Sequence, residues 1–238
     1  MKPFLILETG VPIEPLRRHG SFGHWIRVAA GLHARQVRHV RVLDGEPLPA
    51  ARDYAGVLVT GSGAMVTERL DWSERTADWL REAAEAGRPL FGICYGHQLI
   101  AHALGGTVDY NPKGREMGTV EVRLRAPAAA DPLFAGLPER IGAQATHLQT
   151  VLAPPPKAEV LADSERDGCQ AFRWGEAAWG VQFHPEFNTG VMRGYIRARA
   201  EALAKEGTCA RQLAGAVRPA PLARRVLRRF IHQAHRRA

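Results

Sequence analysis

A single α/β domain with a mostly parallel sheet and helices on both faces is the fold class this sequence predicts, and three observations carry it. Strand and helix signals alternate through the first hundred residues, which is the βαβ progression. Residues 107–182 then change character to short strand-like runs separated by proline-rich connections at 126–132 and 154–156, the pattern of antiparallel additions. At 238 residues the chain can bury a sizeable core, and it suits one α/β domain with an appendage better than two domains.

Taken in order, residues 4–7 read as the first strand, 23–32 as a helix, 37–43 as the second strand and 57–59 as the third. Residues 73–86 read as a helix opened by an Asp71/Ser73 capping region and closed by Gly87. Residues 90–93 form the strand that presents Cys94, and the apolar stretch 99–104 continues as a helix. Strand-like runs follow at 120–124, 160–161 and 170–173, with a last apolar stretch at 178–181. The loop 10–23 is long for a first strand-to-helix connection and is expected to border a substrate mouth.

Composition narrows the class. Three cysteines, Cys94, Cys169 and Cys209, offer neither a disulfide framework nor paired metal-ligand spacing, so no metal is expected and a reducing cytoplasm is. The apolar start at 4–7 is too short for a signal peptide, and no uninterrupted apolar stretch reaches membrane-spanning length. Gly61 and Gly63 follow a strand but lack the third glycine and the later acidic residue of a dinucleotide loop, so no cofactor is expected.

The chemistry-bearing segments are Gly-Ile-Cys-Tyr-Gly-His-Gln at 92–98 and Gln-Phe-His-Pro-Glu at 182–186. Cys94 stands where a buried strand gives way to a helix. There, free backbone N–H groups and the positive end of the helix dipole stabilise a thiolate, and Gly92 and Gly96 permit a tight turn that leaves the sulfur accessible. His184 is the candidate base that keeps Cys94 deprotonated and later protonates a leaving amine. Glu186 is the candidate carboxylate that orients the imidazole. Pro185 fixes its own φ and biases His184 towards an extended conformation.

These two segments resemble the class I (triad) glutamine amidotransferases, and within them the glutaminase domain of GMP synthetase and its free-standing relatives. The pattern Gly-x-Cys-x-Gly-x-Gln is met by Gly92, Cys94, Gly96 and Gln98, and Val-Gln-Phe-His-Pro-Glu by residues 181–186. The resemblance runs from residue 4 to about 200 and implies a flavodoxin-like, three-layer class I glutamine amidotransferase-like fold. It implies that Cys94 attacks the side-chain amide of glutamine, that ammonia leaves, and that water hydrolyses the γ-glutamyl thioester. Backbone N–H groups of Ser62 and Tyr95 would form the oxyanion hole, although this chain reads Thr-Gly-Ser-Gly at 60–63 where the family resembles Ser-Gly-Gly-Pro. Gln98 would contact the substrate, and Thr146 and His147 would meet its α-amino and α-carboxyl groups, partly through backbone.

The net charge of +8 is localised. Residues 211–238 hold eight arginines and no acid, so the rest of the chain is neutral overall. On a helical wheel Leu222, Val226, Leu227, Phe230, Ile231 and Ala234 share one half, opposite Arg224, Arg225, Arg228 and Arg229. Residues 1–205 are therefore read as the catalytic domain and 206–238 as a basic amphipathic extension that docks on the body or on a second copy or stays partly disordered. No aromatic interleaving or nucleic-acid fold accompanies the charge, so neither nucleic acid nor a membrane is its expected partner. Removal of the tail after residue 210 is expected to leave hydrolysis within ~3-fold.

Three function classes follow. The first is an amidotransferase subunit that hydrolyses glutamine and hands ammonia to a synthetase on another chain. The second is a free-standing hydrolase of γ-glutamyl peptides. The third is a binding module with a vestigial site, which the intact Cys94, His184 and Glu186 oppose.

Overall fold

The structure, a computed structural model, describes residues 2–237. Eleven strands and seven α-helices follow one another as β1 (Phe4–Glu8), α1 (Phe22–Ala30), β2 (Val37–Arg41), β3 (Gly56–Val59), α2 (Asp71–Glu85), β4 (Leu90–Ile93), α3 (Tyr95–Ala103), β5 (Thr107–Tyr110), β6 (Glu116–Leu124), β7 (Arg140–His147), β8 (Gln149–Ala153), β9 (Ala158–Asp163), β10 (Ala171–Trp174), β11 (Ala178–Val181), α4 (Thr189–Ala198), α5 (Ala200–Lys205), α6 (Ala210–Ala216) and α7 (Pro221–Arg237). Nine strands form one sheet in the order β2-β1-β3-β4-β11-β10-β9-β6-β7, and β5 pairs with β8 in a small separate ribbon. From β2 to β11 every pairing is parallel. From β11 outward every pairing is antiparallel.

The mixed sheet with helices on both faces is the α/β architecture expected. β1, β3, β4 and β11 are buried along their whole length, as strands covered on both faces must be. Their side chains alternate between two cores: Phe4, Ile6, Leu58, Phe91 and Trp179 face one, and Leu5, Leu7, Val57, Val59 and Leu90 face the other.

Several local expectations change. The helix over 73–86 begins at Asp71 with Leu70 as N-cap and no side-chain cap; the Ser73 hydroxyl instead pairs with the Tyr95 hydroxyl at 2.6 Å. The second strand ends at Arg41, where a 3-10 turn at Val42–Asp44 takes over. Between 107 and 182 the runs at 120–124, 160–161 and 170–173 fall in β6, β9 and β10, but β5, β7 and β8 carried no signal distinct enough to be read. Arg140–His147 mixes polar and small residues, with Arg140 and Gly142 exposed, and its pairing with β6 along eight residues fixes it as a strand.

The basic C-terminal helix does more than dock. Ala223, Val226, Leu227, Phe230, Ile231 and Ala234 of α7 belong to the same buried core as Phe4, Phe91 and Trp179. The Phe230 ring lies 5.1 Å from Phe91, 6.1 Å from Trp179 and 6.5 Å from Phe4, centroid to centroid. Arginines on its flanks grip the body through backbone carbonyls: Arg228 donates to Ala29 O at 3.0 Å, and Arg229 to Leu133 O and Ala135 O at 3.0 and 2.7 Å. Helix α7 therefore forms much of the layer on one face of the sheet. The expectation that hydrolysis survives its removal gives way to the opposite one.

Candidate functional site

Four parallel strands end on the same side of the sheet. Thr9 and Gly10 follow β1, Thr60–Ser62 follow β3, Cys94 follows β4, and His184 follows β11 three residues on. The crevice at the carboxyl ends of such strands is where α/β folds place their ligands. Two of these ends are tied together: Thr9 N donates to Thr60 Oγ1 at 3.0 Å, and Thr9 Oγ1 to Thr60 O at 2.9 Å.

Cys94 takes φ 51° and ψ −103°, a conformation that side-chain-bearing residues rarely adopt. The flanking glycines make this possible by close approach, without positive φ of their own. A Cβ on Gly92 would stand 2.3 Å from Gly96 O, and one on Gly96 would stand 2.5 Å from Val59 O. The Cys94 amide is held by Val181 O at 2.9 Å, which fastens the turn to the strand that leads to His184.

His184 and Glu186 close on Cys94 across ninety residues of sequence. His184 Nδ1 lies 2.7 Å from Glu186 Oε1, and the backbone N–H of His184 donates to Gln144 O at 2.7 Å. The imidazole stacks on Phe187 with centroids 4.0 Å apart and an interplanar angle of 18°. Its rim and Cys94 flank the same glycine: a Cβ on Gly61 would be 3.1 Å from His184 Cε1 and 3.8 Å from Cys94 Cβ. His184 Nε2 is buried with no hydrogen bond of good geometry inside the protein, so its interaction with the sulfur is chiefly electrostatic.

Burial by itself would raise the Cys94 thiol and lower the His184 imidazolium. The charge of His184, with a smaller contribution from His147, more than reverses the first effect, so the thiol pKa is lowered. Burial is likewise outweighed at His184, where the Glu186 carboxylate and the Cys94 sulfur push the imidazole up to about 10. Both shifts favour a thiolate–imidazolium pair.

Two small cavities meet at Cys94. One, of about 50 Å³, is lined by Ser62, Cys94, Tyr95, Gln98, Thr146 and His147 among others. The second, of about 40 Å³, adds His184, Phe187, Tyr195 and, from the long first loop, Val11 and Ile13. That loop thus borders the crevice, and its middle forms a 3-10 helix at Glu14–His19. The Ser62 hydroxyl accepts the Ala64 N–H at 3.1 Å. Tyr95 is the first residue of α3, so its N–H has no partner within the helix. Gln98 donates both amide hydrogens, to Gln149 O at 2.7 Å and Gln182 Oε1 at 2.9 Å, leaving its carbonyl oxygen as the atom it can present to a ligand. Thr146 O lies 4.0 Å from Cys94 Sγ, and its hydroxyl is buried and unpaired.

His147 does not present its ring to the cavity. The side chain is 1 % exposed and turns inward, with Nε2 3.0 Å from Glu116 Oε2 and Nδ1 3.0 Å from Gln149 O. Both ring nitrogens face acceptors, which a neutral imidazole cannot satisfy, so His147 is an imidazolium and its pKa is raised despite burial. One ligand-type atom from each of Glu116, His147 and Asp167 lies within 4.8 Å of the others. Ser164 and Gln170 complete the hydrogen bonding of Glu116. This ion-paired network fixes the 146–149 segment from behind and leaves its backbone for the cavity. Glu116, Gln149 and Asp167 lie on separate elements without a local motif, and sequence reading missed them.

His97, inside the first motif, is fully buried with no well-formed hydrogen bond at either ring nitrogen. It packs 5.0 Å from the Phe172 ring, in space left by Gly180, where a Cβ would stand 2.5 Å from His97 Nδ1. Desolvation lowers its pKa from 6.5 to about 3. Because the folded value is depressed, the unfolded chain takes up the proton first as pH falls, and stability is lost below pH 6.5. Between pH 7 and pH 5 this single group should cost about 2 kcal/mol. His184 and His147, with raised values, act in the opposite direction and cancel when variants are compared. Denaturant titrations should show the pH 7 to pH 5 loss shrinking by about that amount in His97→Gln. An unchanged loss would mean that His97 titrates normally.

Comparison with known proteins bears on this arrangement. Residues 20–200 match the sequence profile of the family described as glutamine amidotransferase class-I. The chain is 37% identical over 169 residues to the glutamine-hydrolysing GMP synthase of Aeropyrum pernix, a match that covers 66% of this chain and 30% of that one. It is 27% identical over 196 residues to gamma-glutamyl peptidase 4 of Arabidopsis thaliana, covering 80% of this chain and 78% of the peptidase. A glutamine amidotransferase from Thermotoga maritima superimposes over 99% of both chains with a TM-score of 0.78 at 22% sequence identity, which establishes the shared fold. No α-helix among the described residues is long and apolar enough to cross a membrane. The flavodoxin-like sheet, the strained cysteine turn at the end of β4 and the profile match over most of the sequence together place this chain in the class I glutamine amidotransferase family.

Proposed function

We propose that this chain is a cysteine hydrolase that cleaves the side-chain amide of glutamine through a thioester on Cys94. The observation that carries the reading is the meeting of Cys94, on its strained turn, with the His184–Glu186 pair in one buried crevice. In the proposed reaction the Cys94 thiolate attacks Cδ of the γ-amide, and the oxyanion is met by backbone N–H groups of Ser62 and Tyr95. The C–N bond breaks as His184 gives its proton to the leaving amine. Water, deprotonated by His184, then hydrolyses the thioester to release glutamate. Glu186 holds the imidazole in the required tautomer and balances its charge. Gln98 offers an acceptor to the substrate α-ammonium, and Thr146 and His147 offer backbone.

The ammonia acceptor in this reading is a synthetase on a separate chain. The similarity to the glutamine-hydrolysing synthase of Aeropyrum pernix, of which 30% is matched, supports a synthetase as the acceptor. A second reading, hydrolysis of γ-glutamyl peptides, is favoured by the match along most of the length of gamma-glutamyl peptidase 4. The two share every step except the identity of the leaving amine. Steady-state turnover on glutamine and on a panel of γ-glutamyl peptides separates them. Higher kcat/KM for glutamine supports the first, higher kcat/KM for a peptide the second, and turnover of neither sinks both.

The ion pair itself is testable without a substrate. Alkylation of Cys94 by iodoacetamide, followed on its own peptide by mass spectrometry, should reach half its plateau rate at a pH below that of an ordinary thiol, about 8.5. His184→Ala should move that midpoint upward, since the largest influence holding the thiolate is then gone. A midpoint that ignores His184 would remove the basis for the triad.

A further inference from the structure

We infer that Arg199, with Arg115 beside it, is the receptor for a carboxylate of the substrate. The inference rests on the hydrolase reading and names what that site recognises. Arg199 sits at the junction of α4 and α5 and lines both cavities that contain Cys94. Arg115, just before β6, lines the first of them and also a larger groove of about 590 Å³ that opens away from it.

Three features make this a built anion site. Arg199 Nη1 is fully buried and has no hydrogen-bond partner, and a buried donor left unpaired is destabilising unless a ligand completes it. Among the described residues no carboxylate lies within ion-pair distance of Arg199, whereas Arg115 spends its Nε on Glu206 at 3.0 Å. Both arginines line the same cavity, and burial followed by the charge of Arg115 lowers the Arg199 pKa. An anion between them removes both the repulsion and the unpaired donor.

Arg199 is also held in register with the chemistry. Its guanidinium carbon lies 5.2 Å over the Tyr195 ring. Tyr195 stacks on Phe187 at 5.1 Å, and Phe187 on His184 at 4.0 Å. The stack forms one wall that carries the candidate base at one end and the unpaired guanidinium at the other. A γ-glutamyl substrate with its γ-carbonyl at Cys94 has a carboxylate to offer from either of two places: the α-carboxylate of the glutamyl unit, or the carboxylate of an amino acid leaving group that extends towards the groove beside Arg115.

The test compares wild type, Arg199→Met and Arg199→Lys on γ-glutamylglycine, which carries both carboxylates, and on γ-glutamyl-4-nitroanilide, which carries only the first. Arg199→Met should raise KM ~10-fold or more with kcat within ~3-fold, and lysine should restore part of the loss. A rise on both compounds assigns the α-carboxylate, and a rise on the dipeptide alone assigns the leaving group. Turnover that is indifferent to Arg199 on both overturns the anion site while the hydrolase reading stands. Calorimetric binding of γ-glutamylglycine to Cys94→Ser protein, with and without Arg199→Met, gives a readout independent of turnover. Arg199-dependent binding without wild-type turnover of these compounds or of glutamine would sink the hydrolase reading and keep the anion site, and the absence of both binding and turnover would sink both.

Discussion

Replacement of Cys94 by alanine is expected to remove at least ~10³-fold of turnover on the preferred substrate and to leave the fold intact. The size of the effect follows from the chemistry. Without the sulfur no thioester forms, and water must attack an amide directly with only the oxyanion donors and binding to help. Serine should be nearly as damaging, because its hydroxyl lacks the lowered pKa that the His184 charge gives the thiol in spite of burial. Stability should change little, since the strained turn at φ 51° prefers neither alanine nor serine over cysteine. A glutamine-like electrophile should label Cys94 in mass spectra. Of the other two cysteines, Cys169 is buried with its thiol pushed up by burial and by Asp167, and Cys209 is exposed. Label on either of them with Cys94 unmodified, or turnover of Cys94→Ala within ~10-fold of wild type, would end the assignment.

The second large effect concerns α7. Phe230 is fully buried among Phe4, Phe91 and Trp179, and Phe230→Ala should destabilise the protein by about 3–5 kcal/mol, the usual range for emptying a core aromatic site. That is a large share of the stability of an ordinary domain, and it should appear as a lower urea midpoint with an unchanged slope. Removal of residues 211–238 strips α7 from the Phe4, Phe91 and Trp179 side chains that it covers and should give aggregated protein without turnover. A truncated chain that stays monodisperse and active would show that α7 is dispensable to the core, and Phe230→Ala would then cost under ~1 kcal/mol. The two measurements stand or fall together.

The sequence was most legible where local physics and chemistry coincide. Residues 4–7, 57–59 and 90–93 read as buried strands because both of their faces are covered, so every position is apolar. Cys94 stood out as a candidate because it lies between two glycines at a strand-to-helix junction, where backbone N–H groups and the helix dipole favour a thiolate. The role of the glycines was less clear: Gly92 and Gly96 serve close packing against backbone, while Cys94 itself bears the strained φ. Strands β5, β7 and β8 were hidden because their stability comes from pairing with distant partners.

By itself the sequence determined the α/β class and the order of the parallel strands' signals, and it singled out Cys94, His184 and Glu186 as candidates, since each of these follows from a short segment whose pattern has one dominant physical cause. Only the tertiary structure decided that His147 is an inward-facing imidazolium paired with Glu116, that Arg199 stands unpaired at the end of the His184–Phe187–Tyr195 stack, and that the basic tail is a core helix. The reason is common to all three. Charge state, hydrogen-bond satisfaction and burial depend on what residues far apart in the chain bring to the same place, and no local pattern records that.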